Sequence, residues 1–210
     1  MSFTQKLYEE HHTLSRGEGF SILKDDRGVF FSGVIGTGKK VLDIGCRDGA
    51  LTQFFLEGNE VLGVDIDEKA LARAEGRGVR VRPMDLMGDW HEIEGETYDA
   101  VVAGELLEHL FFPEEIVRKV EAHLIPGGTF TGSVPNAYSL KNRIRYLFGI
   151  QKNTPLSDPT HINQFSVASM KELLSGHFAD VHMSGLGRYS RLAKLLPNWC
   201  AFDIVFVAKK

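Results

Sequence analysis

Cysteine is scarce in this sequence, and long apolar stretches are absent. The 210 residues contain two cysteines, Cys46 and Cys200, too few for a disulfide framework or a cysteine-rich zinc site. No apolar run reaches the ~18 residues that a membrane-spanning helix needs, and residues 1–6 lack the apolar core of a secretory signal. These absences predict a cytoplasmic protein without a transmembrane segment.

An excess of positive charge is also missing. Lys and Arg number 24 against 28 acidic residues, a net charge of −4. This balance argues against broad, sequence-independent binding of nucleic acids, although a local basic patch stays compatible with it. A hydrophobic content of 43% is ordinary for a globular protein, and the length favours one domain with a full core.

The rest of the sequence is organised around residues 41–49, VLDIGCRDG. Residues 40–44 are a short apolar run, typical of a buried parallel strand, and two glycines follow. Leu51, Phe54 and Phe55 then recur at helical spacing. The pattern predicts a strand, a tight glycine turn and a helix, an arrangement in which a ligand can approach the backbone closely.

The residues around this turn indicate the ligand. A dinucleotide fingerprint would have glycine where Arg47 stands, and Asp43 would repel a pyrophosphate. Asp43 instead suits an ammonium group. The next strand, residues 60–65, ends in Asp65 at the separation expected for a partner of ribose hydroxyls. A nucleoside with an ammonium group and no diphosphate describes S-adenosylmethionine.

Four motifs together resemble those of class I S-adenosylmethionine-dependent methyltransferases, in the right order and at the right spacing. They are residues 41–49, 63–67, 84–86 and 98–102. The resemblance covers residues 38–180. It implies an α/β, Rossmann-like fold, with a seven-stranded, mostly parallel sheet, an antiparallel last strand and helices on both faces. It also implies one domain over 1–210, divided into an N-terminal helical cap (1–39), a cofactor-binding core (40–134), an acceptor lid (135–165) and a C-terminal helix with an edge hairpin (166–210).

The resemblance assigns the methionyl end of the cofactor to the glycine turn. Gly45, Gly49 and the backbone of Cys46 would lie beneath it. Asp43 would support the turn or meet the ammonium group through water. Arg47 departs from the commoner glycine, which is tolerable where its side chain points outward.

The nucleoside end is assigned to the following strands. Asp65 would accept from the ribose hydroxyls, with Ile66 against the adenine ring. Asp85 would accept from the adenine amino group, with Leu86 beside it. Gly104, which ends the fourth predicted strand, completes the cofactor-binding set.

Glu105, Glu108 and His109 follow that strand at i, i+3 and i+4, so a helical turn would place them on one face. Two carboxylates and an imidazole can bind a divalent cation. The pattern is similar to that of ubiquinone-pathway O-methyltransferases. It also resembles small-RNA 3′-terminal 2′-O-methyltransferases, where such a cluster holds Mg²⁺ or Mn²⁺ together with a later histidine; His161 stands roughly at that position.

Alternatively, Glu108 and His109 only hydrogen-bond within the fold. Without metal, His109 or His161 is the candidate general base.

The acceptor lid, residues 135–165, interrupts the alternation of strands and helices. Residues 138–148 predict an amphipathic helix, with cations beside its apolar stripe. The stripe consists of Leu140, Ile144, Leu147 and Phe148, and the cations are Lys141, Arg143 and Arg145. This helix would cover the acceptor or pack on the core as a surface helix. Its composition suits an anionic or lipid-linked acceptor.

The remaining segments are less regular. Residues 2–12 predict a short helix, on which Tyr8, His11 and His12 line a site or are surface residues. In residues 13–39 the glycines argue against a long helix. Helices are predicted at 113–124 and 166–176, and two final strands with no helix between them.

The prediction is therefore an S-adenosylmethionine-dependent methyltransferase acting at oxygen on a small-molecule or lipid- or glycan-linked acceptor. A nicotinamide-dependent oxidoreductase is disfavoured by Arg47 and Asp43. Two further hypotheses stay open: a non-catalytic protein that binds S-adenosylmethionine or a partner, and a metal-dependent RNA 2′-O-methyltransferase. The sequence indicates neither the acceptor nor the oligomeric state.

Overall fold

A computed structural model describes residues 23–188 and 190–210 of the chain. The predicted helix at 2–12, with Tyr8, His11 and His12, lies outside these residues. The strands form one seven-stranded sheet in the order β3-β2-β1-β4-β5-β7-β6. They are β1 (Lys40–Ile44), β2 (Glu60–Asp65), β3 (Arg80–Pro83), β4 (Tyr98–Gly104), β5 (Leu124–Pro135), β6 (Asp180–Leu186) and β7 (Asp203–Lys209).

The strand directions confirm the predicted α/β, Rossmann-like architecture. β1 pairs in parallel with β2 and β4, and β2 pairs in parallel with β3. β7 runs antiparallel to both of its neighbours, β5 and β6. The carboxyl ends of parallel strands meet at one edge of a sheet, where α/β folds bind their ligands.

The described residues contain eight α-helices, several of them short. They are α1 (Lys24–Ile35), α2 (Gln53–Leu56), α3 (Glu68–Gly76), α4 (Pro113–His123), α5 (Leu140–Leu147), α6 (Val167–Ser175), α7 (Ser190–Leu195) and α8 (Pro197–Cys200). Among these residues no helix is long and apolar enough to cross a membrane. The chain divides into two compact units, Met1–Val102 and Ala103–Lys210.

Helix α1 in the first unit corrects the prediction that glycines prevent a long helix there. Phe31 and Ile35 of α1 pack in one buried cluster with Phe55 of α2, Val41 of β1 and further apolar residues of the sheet. A Cβ at Gly28 would lie 2.2 Å from the ring of Phe54. Gly28 thus allows α1 to approach Phe54 closely, and this packing outweighs the low helix propensity of glycine.

The second unit contains two short helices that the sequence did not predict. Helices α7 and α8 occupy the connection between β6 and β7. Neither exceeds six residues, too short for apolar periodicity to show. The predicted helices at 113–124 and 166–176 are present as α4 and α6, and Ser166 caps α6 by accepting from the backbone N–H of Ser169.

Candidate functional site

The predicted turn after β1 is tight and has left-handed residues at its glycines. Gly45 and Gly49 have φ angles of 71° and 73°. The N–H groups of Gly45 and Cys46 both donate to the carbonyl of Val64, at 2.8 and 3.1 Å. These bonds join the turn to the end of β2, so the two strand ends that carry the predicted cofactor residues are held together within the first unit.

Close packing excludes side chains at two glycines here. A Cβ on Gly49 would lie 3.0 Å from the Cβ of Ala74, and one on Gly63 would lie 2.7 Å from the sulfur of Cys46. Cys46 is buried, and burial is the largest cause that raises the pKa of its thiol. Cys46 therefore acts as a small packing side chain here.

Asp43, at the end of β1, is a buried carboxyl with one hydroxyl partner. Its Oδ2 accepts from the hydroxyl of Thr52 at 2.6 Å, and both residues are almost inaccessible to solvent. Burial raises the pKa of Asp43 to about 7, the Thr52 hydrogen bond opposes this shift, and nearby Asp65 adds to it. A cationic ligand group would favour the ionised form.

Asp65 orients the turn as well as ending β2. Its Oδ2 accepts from the N–H of Arg47 and its Oδ1 from the N–H of Asp67, both at 2.9 Å. Burial raises the pKa of Asp65, and these backbone hydrogen bonds partly offset the rise. Each carboxylate oxygen has a second lone pair, so ribose hydroxyls can still donate to it.

Arg47 adopts a left-handed backbone conformation, with φ 53°. A glycine takes this conformation without strain, which is the physical reason that glycine is commoner there. The N–H of Arg47 still donates to the Asp65 carboxylate. Arg47 in place of the commoner glycine therefore keeps this backbone hydrogen bond of the turn.

Other predicted cofactor residues lie at strand ends or just beyond them. Asp85 is exposed and accepts from the N–H of Met87, while Leu86 is buried. Ile66 is half-buried after β2, and Gly104, in the second unit, ends β4.

The sequence did not reveal two supports of the turn. One is Thr52, the partner of Asp43. The other is Arg77, whose guanidinium lies 3.2 Å from the Asp48 carboxylate and donates to the Asp48 carbonyl at 2.8 Å. Neither pair has a local sequence pattern that could have signalled it.

The second unit brings three of the four predicted metal ligands together. One ligand atom from each of Glu108, His109 and His161 lies within 4.8 Å of the others. Glu108 and His109 are buried, and the two imidazole rings meet edge to face with centroids 4.9 Å apart. The Nε2 of His109 lies 3.8 Å from the Oε1 of Glu108.

Glu105 is not in this group. The predicted helical turn is a 3₁₀ helix over Leu107–His109, and Glu105 precedes it with a φ of 55°. Because Glu105 lies outside the helical segment, the i, i+3, i+4 argument does not apply to it. The backbone N–H of Glu105 donates to the carbonyl of Ser133.

Backbone carbonyls orient both histidine rings. The Nδ1 of His109 lies 2.9 Å from the Thr160 carbonyl, and that of His161 lies 3.1 Å from the Pro155 carbonyl. A carbonyl only accepts, so Nδ1 is the donor in both rings. In the neutral rings the lone pair is then on Nε2, the tautomer that a metal ligand or general base requires.

Asp158, which the sequence did not single out, supports this arrangement. Its Oδ2 lies 3.6 Å from the Nε2 of His161. Its Oδ1 accepts from the N–H and the hydroxyl of Thr160, the residue whose carbonyl holds His109. Asp158 therefore holds Thr160, and through its carbonyl His109, while its other oxygen lies near His161.

Comparison with known proteins identifies the family. A family model described as a methyltransferase domain matches residues 20–177. The chain is 32% identical to the ubiquinone biosynthesis O-methyltransferase of Aliivibrio fischeri over 135 residues. The match covers 61% of this chain and 53% of that protein. The chain spans about half the length of the curated relatives it matches.

Solved structures agree on the fold. A SAM-dependent methyltransferase from Archaeoglobus fulgidus has a TM-score of 0.70 at 21% identity, over 97% of this chain and 99% of that chain. A small RNA methyltransferase has a TM-score of 0.69 at 18% identity, over 92% of this chain and 26% of that chain. The chain belongs to the methyltransferase domain family, and its fold is that of the class I S-adenosylmethionine-dependent methyltransferases.

Proposed function

We propose that this chain transfers a methyl group from S-adenosylmethionine to a hydroxyl oxygen of a small-molecule or lipid- or glycan-linked acceptor. Family membership supports the donor, and so does the first unit. There the glycine turn is bonded to the end of β2, Asp43 is a buried acid suited to an ammonium group, and Asp65 can accept from ribose hydroxyls.

The reaction has simple requirements. S-adenosylmethionine supplies a sulfonium methyl group and leaves as a neutral thioether. As the new C–O bond forms and the C–S bond breaks, the acceptor hydroxyl must lose its proton. The protein holds the reactants in line, which is most of the catalysis, and provides a group that takes the proton.

The observation that carries the choice of oxygen is the group formed by Glu108, His109 and His161. A nitrogen acceptor can be methylated as a free amine, whereas a hydroxyl benefits from a base or a metal ion. The carbonyls of Thr160 and Pro155 hold both rings in the neutral tautomer that carries its lone pair on Nε2. Either imidazole can then accept the proton.

The same three donors also fit a divalent cation. Two imidazoles and one carboxylate are a donor set that suits Mn²⁺ better than Mg²⁺, which prefers oxygen ligands. A cation bound there would lower the pKa of the acceptor hydroxyl. His109, His161 and Glu108 would hold it, and Asp158 holds Thr160, whose carbonyl orients His109.

Calorimetric titration with S-adenosylmethionine and S-adenosylhomocysteine tests the donor, and methyl-labelled donor with paired acceptors tests the oxygen. Each acceptor is offered as the hydroxyl compound and as its deoxy counterpart. We expect both cofactors to bind and label to enter only the hydroxyl compounds. Label in amines but not in hydroxyls would contradict oxygen as the acceptor atom.

A residue-specific test separates catalysis from folding. His161→Ala should lower turnover by about 10²- to 10⁴-fold and leave cofactor affinity almost unchanged. His123→Ala is the matched control, because His123 also places its Nδ1 2.9 Å from a backbone carbonyl but lies outside the group. Equal losses of turnover and cofactor affinity in His161→Ala would argue for a structural role only.

RNA 2′-O-methylation is the second candidate. The small RNA methyltransferase is similar in fold, and the Glu-His-His group fits the metal that the sequence resemblance implies. Transfer of label to the 3′ end of a short RNA, dependent on Mn²⁺, would favour it over the small-molecule acceptor.

A further inference from the structure

Helix α5 turns its apolar stripe toward solvent. Leu147 and Phe148, at its end, are 81% and 72% exposed, whereas Asn142 is only 8% exposed. Leu140 and Ile144 are also exposed. The amphipathic helix predicted from the sequence is present, but it does not pack its apolar face on the core. The buried Asn142 side chain donates to the carbonyl of Asn136.

The α7–α8 segment also exposes its large apolar side chains to solvent. Ala193 is its fully buried side chain, and most of its large apolar side chains are exposed. The exposed ones are Leu192, Leu195, Leu196 and Trp199. Leu195 is 76% exposed. An isolated exposed apolar residue is normal, but a cluster on neighbouring elements marks an interaction surface.

The two segments are joined within the second unit. The Arg143 guanidinium lies 4.8 Å from the centroid of the Trp199 ring. The Asn136 amide donates to the carbonyls of Pro197 and Ala201 at 3.0 and 3.1 Å. We call the exposed side chains of residues 138–150 and 191–202 the docking surface.

The charge of this region is opposite to that of the whole chain. The docking surface contains five Lys or Arg and no Asp or Glu, although the protein carries −4. The five are Lys141, Arg143, Arg145, Arg191 and Lys194. Cations beside an exposed apolar stripe, with aromatic residues such as Trp199 and Tyr138, are the composition of interfacial membrane-binding segments.

We propose that the docking surface binds the surface of a bilayer that contains anionic lipids. Leu147, Phe148 and Leu195 enter the boundary between headgroups and acyl chains, and the Lys and Arg side chains meet lipid phosphates. The aliphatic side chains favour a bilayer over a nucleic acid, which would stack on aromatic rings. The proposal goes beyond methyl transfer and holds for any methyl acceptor.

Vesicle co-sedimentation tests this proposal with the full chain. The vesicles are phosphatidylcholine alone or phosphatidylcholine mixed with phosphatidylglycerol. We expect binding to the mixed vesicles that weakens as salt is added. Phe148→Ser and Leu147→Ser should each lower it by about tenfold. Phe111→Ser, at a Phe 64% exposed outside the docking surface, is the control and should bind as the wild type does.

Charge reversal gives an independent test. Lys194→Glu should lower partitioning onto the mixed vesicles by at least about fivefold. Lys171→Glu, exposed on α6 and outside the docking surface, should have a much smaller effect. Cofactor titration of each variant reports whether the fold is retained.

Three results would overturn the proposal. Equal binding to neutral and anionic vesicles would remove the role of the cations. Unchanged binding of Phe148→Ser and Lys194→Glu would place the membrane contact elsewhere. A dimer or an RNA complex that forms in the absence of vesicles and is lost in Phe148→Ser would assign the surface to that partner instead.

Discussion

His109, at the end of a 3₁₀ helix, and His161, in the loop before α6, meet edge to face, with ring centroids 4.9 Å apart. Each ring is held by a backbone carbonyl, from Thr160 and Pro155. Side chains fixed in this way lose little further freedom when they bind a cation or accept a proton. Glu108 beside them supplies a carboxylate, so the group is preorganised for either role.

The first prediction concerns Mn²⁺ affinity, measured by electron paramagnetic resonance of the free ion. His161→Ala and Glu108→Gln should each weaken Mn²⁺ binding by at least about tenfold, because each removes a donor. Asp158→Asn, which alters the hydrogen bonds that hold Thr160 and so the support of His109, should weaken binding by about 10- to 100-fold. His123→Ala should change nothing. Equal affinity in all variants would mean that these residues do not hold the cation.

The second prediction is a pH dependence caused by Asp43. Burial raises the pKa of Asp43 from 3.8 to about 7. Between these values the folded protein binds more protons than the unfolded chain, so this group's contribution to stability falls as pH rises through 7. Asp43→Asn removes the titration. Its Tm, relative to the wild type without cofactor, should therefore rise between pH 4 and pH 8.

Cofactor binding supplies the complementary measurement. A bound ammonium group favours the ionised carboxylate, so binding near pH 7 should release protons from wild type but not from Asp43→Asn. Calorimetry in buffers of different ionisation enthalpy measures this release. Asp89→Asn, at an exposed carboxylate, controls for loss of one charge. Proton uptake by the wild type would contradict the prediction.

The strand–turn geometry to which the cofactor residues are assigned was predictable, because it follows from local sequence patterns. The positions of Asp43, Asp65 and the glycines follow from strand–turn patterns and from family motifs. Thr52 and Arg77 were not predictable, since their contacts with Asp43 and Asp48 depend on how the turn folds. Glu105 was misplaced because helical spacing was assumed where a three-residue 3₁₀ helix forms.

The helices show a similar limit. Gly28 lowers helix propensity in α1, and only its closeness to Phe54 explains why it is there. The stripe of α5 was correctly predicted, but periodicity does not say whether an apolar face meets the core, solvent or a partner. The exposure of Phe148 to solvent depends on tertiary packing, so only the structure reveals it.

The third prediction separates backbone conformation from crowding at the cofactor turn. Gly49 and Gly38 have nearly equal φ angles, 73° and 72°. A Cβ on Gly49 meets Ala74 at 3.0 Å, whereas one on Gly38 has nothing within 4 Å. Gly38→Ala should cost about 1 kcal/mol, and Gly49→Ala about 1 to 3 kcal/mol more.

Urea unfolding gives these free energies, and equal m-values for the variants and the wild type show that only stability has changed. Cofactor titration then reports the turn itself: Gly49→Ala should bind S-adenosylmethionine more weakly, and Gly38→Ala should bind it as the wild type does. If the two variants lose the same stability, the packing against Ala74 does not constrain the turn.

The fourth prediction concerns Asn136, which anchors the docking surface. Asn136 is only 1% exposed. Its side-chain NH₂ group donates to the Pro197 and Ala201 carbonyls, and its side-chain oxygen Oδ1 accepts from the N–H of Tyr138 at 3.2 Å. Asn136→Ala leaves buried polar groups without these bonds and should cost about 2 to 4 kcal/mol in the free energy of unfolding.

Asn136→Asp is the sharper variant because it keeps the shape of the side chain. It retains the acceptor for Tyr138 but points a carboxylate oxygen at two carbonyl oxygens, so at neutral pH it should be less stable than Asn136→Ala. Lowering the pH should narrow this difference, since a protonated carboxyl can donate to one carbonyl again. Exposed substitutions such as Phe148→Ser should leave the unfolding midpoint unchanged. An Asp variant as stable as the wild type at neutral pH would show that Asn136 does not connect α8 to the segment that carries α5.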